Sequence, residues 1–278
     1  MWSGLQCIKW FNWRLFGFHC LSGFPMDLSH KTIAITGGAR GIGRAIALTL
    51  GRRGADLALI DRDPEALAAT RAECEALGVQ ARAYTANVAD EGQVDAVMAR
   101  IAEDFGRFDG LVNNAGITRD GMLLKVRDGQ VTDRMSLAAW QAVIDVNLTG
   151  VFLCTRAAAE QMVHAGHGGV IVSLSSVSRA GNMGQTNYSA AKAGVVSMTT
   201  VWARELARFG IRTGAIAPGF TATEILQTIP AETMDKLLSA VPLRRTGQPE
   251  EIAQAAQFIF ENDYFTGRCL EVDGGIRL

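Results

Sequence analysis

The stretch from Lys31 to Arg53, KTIAITGGARGIGRAIALTLGRR, decides the fold. Its first six residues form a short apolar run typical of a buried strand, and apolar side chains recur at helical spacing after Gly41. Glycines at positions 37, 38, 41 and 43 join the two segments. Such a turn lets backbone amides approach a pyrophosphate at the positive end of the helix. The stretch therefore predicts a strand, a dinucleotide-binding turn and a helix.

Strand-like and helix-like segments continue to alternate along the chain. Further strands are predicted at 56–61, 81–86, 109–113, 170–174, 212–217 and 269–272, and helices at 41–53, 64–77, 92–105, 137–164, 184–209 and 249–260. This alternation requires parallel strands joined by crossover helices, which predicts a doubly wound, Rossmann-type α/β sheet. Because no linker or repeat interrupts it, residues 27–278 are expected to form a single domain.

The composition restricts the class of protein. Hydrophobic residues make up 48% and charged residues 20% of the 278 residues, which is typical of a soluble globular protein. A net charge of -1 gives no attraction to nucleic acid or an anionic membrane. The five cysteines are scattered, without a close pair or nearby histidines, which argues against disulfides and a metal site and favours the cytoplasm.

Residues 1–26 differ from the rest of the chain. They contain seven aromatic residues and no acidic residue, and the basic Lys9 and Arg14 interrupt the apolar stretch. No uninterrupted apolar span is long enough to cross a bilayer. An amphipathic surface-binding helix is one interpretation. We favour the other, in which these residues precede the natural start at Met26 and form an extension outside the fold.

Asp61 ends the second predicted strand, 24 residues after Gly37. A carboxylate there accepts hydrogen bonds from ribose hydroxyls and repels a 2'-phosphate, which favours NAD(H). Arg40 and Arg62 stand nearby and could hold that phosphate, so NADP(H) is not excluded. A helix N-cap is the alternative role for such an aspartate. The loop contributes five further candidate cofactor residues: Gly37, Arg40, Gly41, Ile42 and Gly43.

Tyr188 and Lys192 lie four residues apart and therefore project from one face of a predicted helix. An ammonium held beside a phenol favours the phenolate, so the pair is a candidate proton donor and acceptor. Asn147 lies among apolar residues of another predicted helix, where a polar side chain is expected to have a partner. A short turn, Asn113 to Gly116, follows the fourth strand, at the edge where ligands bind in such sheets.

These motifs resemble, in order, those of the short-chain dehydrogenases/reductases: TGGARGIG, NNAG, DVNLTG, YSAAK and PGF, between Lys31 and Leu278. The resemblance implies that Tyr188 transfers the proton and that Lys192 binds the nicotinamide ribose and lowers the tyrosine pKa. It also implies that Asn147 holds a water molecule. A serine would steady the substrate oxygen. Ser175, thirteen residues before Tyr188, is favoured, and Ser176 is the alternative.

The resemblance extends the cofactor site and implies a lid. Asn87 and Val88 would lie beside the adenine, and the turn at Pro218 would contact the nicotinamide amide, followed by a lid with a short helix near 231–238. The further cofactor residues are Asn87, Val88, Asn114, Ala115, Gly116, Tyr188, Lys192, Pro218, Gly219 and Thr221. The segment from Gly121 to Ser136 is longer than in most members, and Asp128-Gly129 predicts a hairpin turn within it.

Within the family the chain most resembles the 3-oxoacyl-(acyl carrier protein) reductases, through NAGITRD, NMGQTNYSAAK and TGRCLEVDGG. This implies an enzyme of fatty acid biosynthesis that moves a hydride from a reduced nicotinamide to the keto carbon of a β-ketoacyl thioester. A homotetramer is also implied. The alternatives are an NAD-dependent dehydrogenase of another secondary alcohol (sugar, steroid or hydroxy acid) and a non-catalytic cofactor-binding subunit.

Overall fold

A computed structural model describes residues 26–223, 234 and 237–277. Apart from Met26, the predicted extension at 1–26 lies outside these residues, as does most of the short helix predicted at 231–238. Met26 packs against the hydrophobic core. The chain therefore already contributes to the folded domain one residue before the expected boundary at 27.

A seven-stranded parallel sheet forms the centre of the molecule, and a separate hairpin lies beside it. The strands of the described residues are β1 (Thr32–Thr36), β2 (Asp56–Asp61), β3 (Ala81–Thr85), β4 (Gly110–Asn113), β5 (Leu124–Arg127), β6 (Gln130–Arg134), β7 (Gly169–Leu174), β8 (Ile211–Pro218) and β9 (Arg268–Val272). The sheet order is β3-β2-β1-β4-β7-β8-β9, and every neighbouring pair is parallel. The predicted doubly wound sheet is confirmed.

Helices cover both faces of the sheet. Those of the described residues are α1 (Gly41–Gly51), α2 (Pro64–Glu75), α3 (Glu91–Phe105), α4 (Leu137–Ile144), α5 (Gly150–Ala165), α6 (Thr186–Glu205) and α7 (Pro249–Glu261). Side chains alternate along each strand, so Ile33 and Ile35 join the core beneath α1 and α7, whereas Ala34 joins the core beneath α3 and α5. Burial on both faces explains why the central strands β1, β4 and β7 are largely apolar, whereas the edge strands β3 and β9 are partly exposed and contain arginine.

The chain reverses direction across the sheet at β1. It runs from β1 through β2 to β3 on one side and then returns to place β4 on the other side of β1. The loops after β1 and β4 therefore diverge at the carboxyl edge of the sheet and leave a crevice between them. Ligands bind at such a switch point in open α/β sheets.

The long helix predicted at 137–164 is interrupted. A π-helical turn, Asp145–Thr149, separates α4 from α5 and contains Asn147. Such turns insert an extra residue into a helix and are frequent at functional sites. Sequence periodicity did not reveal the interruption because the apolar pattern continues through it.

The helical stretch Leu137–Ala165 is the one helix of the described residues that is long and apolar enough to span a membrane. It packs against α3 and α6 and encloses Asn147, whose side chain is completely buried. Helices buried on more than one side commonly have this composition. Since 33% of its apolar window is buried in the described structure, packing within this fold accounts for part of its apolar character.

The segment between β4 and α4 contains the predicted hairpin. Asp128 and Gly129 form the turn between β5 and β6, with φ angles of 50° and 74°. Two consecutive positive φ values produce the turn that matches the twist of a two-residue hairpin. Every residue of β5 and β6 is exposed. We refer to residues 122–135 as the arm.

Asp109 stabilises the edge of the sheet opposite the crevice, and its replacement tests this part of the fold. Its buried carboxylate accepts hydrogen bonds from Arg107 Nε (2.5 Å) and from the backbone of Thr32 (2.9 Å). Burial opposes its ionisation, but these hydrogen bonds and Lys31 hold the pKa of Asp109 below its ordinary value. The ionised form therefore stabilises the fold at neutral pH.

We expect Asp109→Ala to lower the free energy of unfolding by about 3 kcal/mol, because it removes one partner of a buried ion pair. Since the folded-state pKa is depressed, this contribution is lost as the pH falls through that value. Urea unfolding at neutral pH and at pH 3 should show the difference between variant and wild type shrinking in acid. An equal difference at both pH values would contradict the electrostatic explanation.

Candidate active site

The glycine turn brings backbone close to the crevice. Gly37 and Gly41 have φ angles of 63° and 54°, which L side chains rarely adopt. A Cβ at Gly43 would lie 2.0 Å from the carbonyl oxygen of Gly37, so a larger residue cannot fit there. Helix α1 begins at Gly41, and no side chain caps its first amides. The turn thus presents a positive helix end to a phosphate.

The turn after β4 is tied to the glycine turn. The Asn114 side-chain amide donates to the carbonyl oxygens of Thr36 (3.1 Å) and Gly37 (2.9 Å). The Thr36 hydroxyl accepts from the backbone amides of Asn114 and Ala115, each at 3.1 Å. These bonds hold the two sides of the crevice at a fixed separation.

Asp61 lies at the end of β2, on the rim of the crevice. Its carboxylate accepts hydrogen bonds from the backbone amides of Arg62 (2.7 Å) and Ala39 (3.3 Å), which orient it. Arg40 forms an ion pair with Asp63, which also caps α2 through Ala66. Asp63, rather than Asp61, is therefore the N-cap. The Asp61 carboxylate borders the cavity beside both arginines.

Tyr188 and Lys192 lie together on α6. The Lys192 ammonium is 5.6 Å from the centre of the Tyr188 ring and donates to the carbonyl oxygen of Leu174 at 2.7 Å. Burial lowers the pKa of Lys192 to about 8. For Tyr188, burial is the main cause of a raised pKa, the nearby Asp120 carboxylate adds to it, and a hydrogen bond with Ser176 opposes it. The phenol is therefore protonated at neutral pH.

Asn147 joins the π-helical turn to the loop after β4. Its Oδ1 accepts from the amide of Ile117 and its Nδ2 donates to the carbonyl oxygen of the same residue, both at 2.8 Å. Gly116 lies between Asn147 and Lys192, because a Cβ there would be 3.3 Å from Asn147 Oδ1 and 3.8 Å from Lys192 Nζ. The sequence predicts that Asn147 has a partner, and in the structure that partner is the backbone of Ile117.

The two candidate serines have different surroundings. The Ser175 hydroxyl is buried and donates to the carbonyl oxygen of Lys192 at 2.8 Å. The Ser176 hydroxyl accepts from the Ser178 amide at 3.1 Å and lies near enough to the Tyr188 phenol to lower its pKa. The geometry therefore favours Ser176 beside the tyrosine, whereas the spacing had favoured Ser175.

Two polar residues before Tyr188 were missed by the sequence analysis. Asn187 is buried and donates to the carbonyl oxygens of Arg119 (3.0 Å) and Ala139 (3.1 Å). Gln185 donates to the Asp120 carboxylate at 2.9 Å and accepts from Ser178 at the same distance. Together they attach the start of α6 to the loop after β4. The available signal was an asparagine directly before Tyr188 in a predicted helix, where a polar side chain needs a hydrogen-bond partner if it is buried.

The turn after β8 closes another side of the crevice. Gly219 packs against Asp273, since a Cβ there would lie 2.7 Å from the Asp273 Cα. Its amide donates to the carbonyl oxygen of Val272 at 3.0 Å. The Thr221 hydroxyl donates to the carbonyl oxygen of Gly219 at 3.2 Å. Most of the predicted lid that follows lies outside the described residues.

A single cavity of about 540 Å³ brings these elements together. Of the predicted residues, all but Gly43 and Asn147 line it; Gly43 lies behind the glycine turn and Asn147 behind Ile117. Thr118 and Phe220 also line it and were missed, although each follows a predicted turn. Among the described residues, no group of histidine, cysteine or acidic side chains could hold a metal ion.

Comparison with known proteins agrees with this geometry. Residues 37–277 match a family model described as Enoyl-(Acyl carrier protein) reductase. The chain is 40% identical over 253 residues to a 3-oxoacyl-(acyl-carrier-protein) reductase of Thermotoga maritima, covering 90% of this chain and 99% of that one. It is 44% identical to a protein of the same name from Synechocystis, with coverages of 90% and 98%.

A solved structure identifies the wider family. It is described as a short-chain type dehydrogenase/reductase from Mycobacterium marinum and superposes with a TM-score of 0.82 at 33% identity, covering 90% of this chain and 96% of that one. The chain belongs to the short-chain dehydrogenase/reductase family. It is accordingly an oxidoreductase, as the sequence predicts. Another family member, the dog (3R)-3-hydroxyacyl-CoA dehydrogenase, is 39% identical, with coverages of 91% and 98%.

Proposed function

We propose that this enzyme reduces a β-ketoacyl thioester to the 3-hydroxyacyl thioester, using NADH and the phenol of Tyr188 as proton donor. The observation that carries the proposal is a single cavity whose lining includes both the glycine turn and the side chains of Tyr188, Lys192 and Ser176. The relatives named as 3-oxoacyl-(acyl-carrier-protein) reductases support the choice of substrate.

The residues present fit a nicotinamide dinucleotide. Gly37 and Gly41 line the cavity with positive φ angles that put bare backbone against a ligand, Gly43 lets the turn pack tightly behind them, and the open start of α1 suits a pyrophosphate. Asp61 would hold the adenosine ribose, and Lys192 the nicotinamide ribose. When bound, the reduced cofactor supplies the hydride. The remaining contacts would come from Asn87, Val88, Asn114 and the turn at Pro218.

Tyr188, Ser176 and Lys192 divide the handling of the substrate oxygen. The raised pKa of Tyr188 keeps its phenol protonated, so it can donate to the oxygen as negative charge develops there. Ser176 would donate a second hydrogen bond to that oxygen. The Lys192 ammonium lies on the same side and stabilises the developing charge.

Asn147 and Ser175 support this arrangement without touching the substrate. Asn147 holds the backbone of Ile117, next to Gly116, against which the Lys192 ammonium packs. Ser175 donates to the backbone of Lys192 and restrains the helix at that position. Both residues thereby keep Lys192 directed toward Tyr188.

Cofactor choice is tested at Asp61. We expect wild type to prefer NADH and Asp61→Ser to raise the ratio of kcat/KM for NADPH to that for NADH by about 100-fold, because removing the carboxylate relieves repulsion of the 2'-phosphate. Glu65→Ser, on the first turn of α2, is the matched control for the loss of one acidic group. Wild type preferring NADPH would overturn the choice of NADH.

The proposed reaction is tested by initial rates of NADH oxidation with acetoacetyl-CoA and with a panel of simple ketones, sugars and steroids. We expect the thioester to have the highest kcat/KM. A higher value for another carbonyl compound would favour a dehydrogenase of a different secondary alcohol. Binding of NADH without any turnover would favour the non-catalytic subunit.

We also propose that the enzyme works as a homotetramer in the cytoplasm. Phe152 on α5 and Val201 on α6 are exposed, and exposed apolar side chains on neighbouring helices suit an interface between copies. The described cysteines Cys74, Cys154 and Cys269 are unpaired, which suits a reducing compartment. Analytical ultracentrifugation should give four times the mass of one chain, and a monomer would exclude the assembly.

A further inference from the structure

The arm has an apolar face that is open to solvent. Val126 pairs with Val131 across the hairpin, and Leu124, two residues before Val126, points to the same side and pairs with Arg134 at the base of the hairpin. Their exposed fractions are 51% for Leu124, 61% for Val126 and 59% for Val131. The opposite face carries Lys125, whose ammonium lies 2.9 Å from the Asp133 carboxylate. The arm is thus an amphipathic hairpin.

An amphipathic hairpin of two strands needs a partner for its apolar face. Two strands alone are marginally stable in water, and an apolar patch on the surface generally marks a binding site. Because the base of the arm is fixed beside the cavity, its position favours an apolar part of the substrate over a second copy of the chain as the occupant of this face.

The base of the arm is fixed beside the cavity. The Gly121 amide donates to the carbonyl oxygen of Gly184 at 2.8 Å, and Gln185 binds Asp120. Gly184 and Gln185 immediately precede the helix that carries Tyr188. Thr118, three residues before Gly121, lines the cavity. The arm therefore leads away from the point where the substrate carbonyl would bind.

Two methionines lie at the base of the arm, next to the residues that the Gly121–Gly184 hydrogen bond joins. Met122 and Met183 are both exposed, and the Met122 sulfur lies 4.0 Å from the Cβ position of Gly184. Flexible methionine side chains adapt to apolar ligands of varied shape. The exposed Leu123 and Leu124 add two more apolar side chains at the base of the arm, and we refer to these four residues as the strip.

We propose that this strip and the apolar face of the arm bind the acyl chain of a long-chain β-ketoacyl thioester. The proposal rests on the proposed function. Most of the cavity lining belongs to the cofactor site, so the chain of a long substrate must continue outside the cavity. Within the described part of the chain, the arm offers apolar surface at that point. The arm would thus make the enzyme selective for long chains.

The test compares kcat/KM for 3-oxododecanoyl-CoA with that for acetoacetyl-CoA in three proteins. In Val131→Lys a charge enters the apolar face, and in Gln130→Lys the same charge enters the opposite face one residue away. We expect the long-to-short ratio to fall at least about tenfold in Val131→Lys, the equivalent of about two buried methylene groups, and to stay at the wild-type value in Gln130→Lys. Replacing residues 124–134 by an Asn-Gly turn should lower the ratio similarly.

Other results would overturn the inference in distinguishable ways. An unchanged ratio in Val131→Lys and in the shortened protein would show that the arm does not bind the chain. Equal losses in Val131→Lys and Gln130→Lys would indicate a general charge effect. A changed sedimentation coefficient with an unchanged ratio would identify a second copy as the occupant. A wild type that reduces neither thioester would refute the proposed function as well.

Discussion

Tyr188→Phe is expected to lower kcat for reduction of acetoacetyl-CoA by about 10³-fold, which lies in the middle of the range that general acid catalysis typically contributes. The variant removes one oxygen atom and leaves the ring that packs beside Lys192. Among the described residues beside the phenol, Ser176 is a much weaker acid, and the Lys192 ammonium already donates to the carbonyl oxygen of Leu174 at 2.7 Å. Binding of NADH should be nearly unchanged.

Steady-state kinetics and fluorescence titration with NADH measure the two effects separately. Tyr264→Phe is the matched control, since Tyr264 is fully exposed and lies outside the cavity lining. The control should retain wild-type kinetics. If Tyr188→Phe kept more than about a tenth of wild-type kcat, the general acid would have to be another group.

Lys192→Met is expected to lower kcat/KM by about 10²-fold, because it removes a buried charge from the side of the developing oxyanion. Burial lowers the pKa of Lys192 to about 8, so the ammonium is less stable in the folded protein than in water. Replacing it by an apolar residue of similar length should therefore leave the free energy of unfolding at neutral pH unchanged or raised. The variant should therefore lose activity without losing stability.

The pH dependence gives this prediction a second measurement. Because the ammonium exists below its pKa, wild-type kcat/KM should fall as the pH rises through about 8, and Lys192→Met should lack this decrease. The decrease due to Tyr188 lies at higher pH, since its pKa is raised. Lys125→Met, on the charged face of the arm, is the control. An unchanged decrease near pH 8 in Lys192→Met would assign it to another group.

The sequence predicted those parts of the site in which a short motif follows a strand. The glycine turn, Asp61 and the Asn114 turn each come at the carboxyl end of a strand, and parallel pairing brings those ends together. Tyr188 and Lys192 share a helix, so their proximity follows from spacing alone.

The features that sequence reasoning could not settle depend on tertiary packing. Ser175 and Ser176 are adjacent where β7 ends, and which one faces Tyr188 depends on how the chain leaves the strand. The π-helical turn at Asn147 has no periodicity signal of its own. The raised pKa of Tyr188 also differs from the lowered value implied by the family, because burial and the Asp120 carboxylate raise it more than the hydrogen bond with Ser176 lowers it.

The central claim is that a hydride moves from the nicotinamide to the keto carbon of an acyl thioester bound beside Tyr188. Incubating the enzyme with acetoacetyl-CoA and NADH carrying deuterium at both C4 positions tests it directly, with mass spectrometry of the product. We expect 3-hydroxybutyryl-CoA with a single deuterium at C3, and none from Tyr188→Phe over the same time. A product without deuterium at C3, or NADH oxidised without a 3-hydroxyacyl product, would contradict the account.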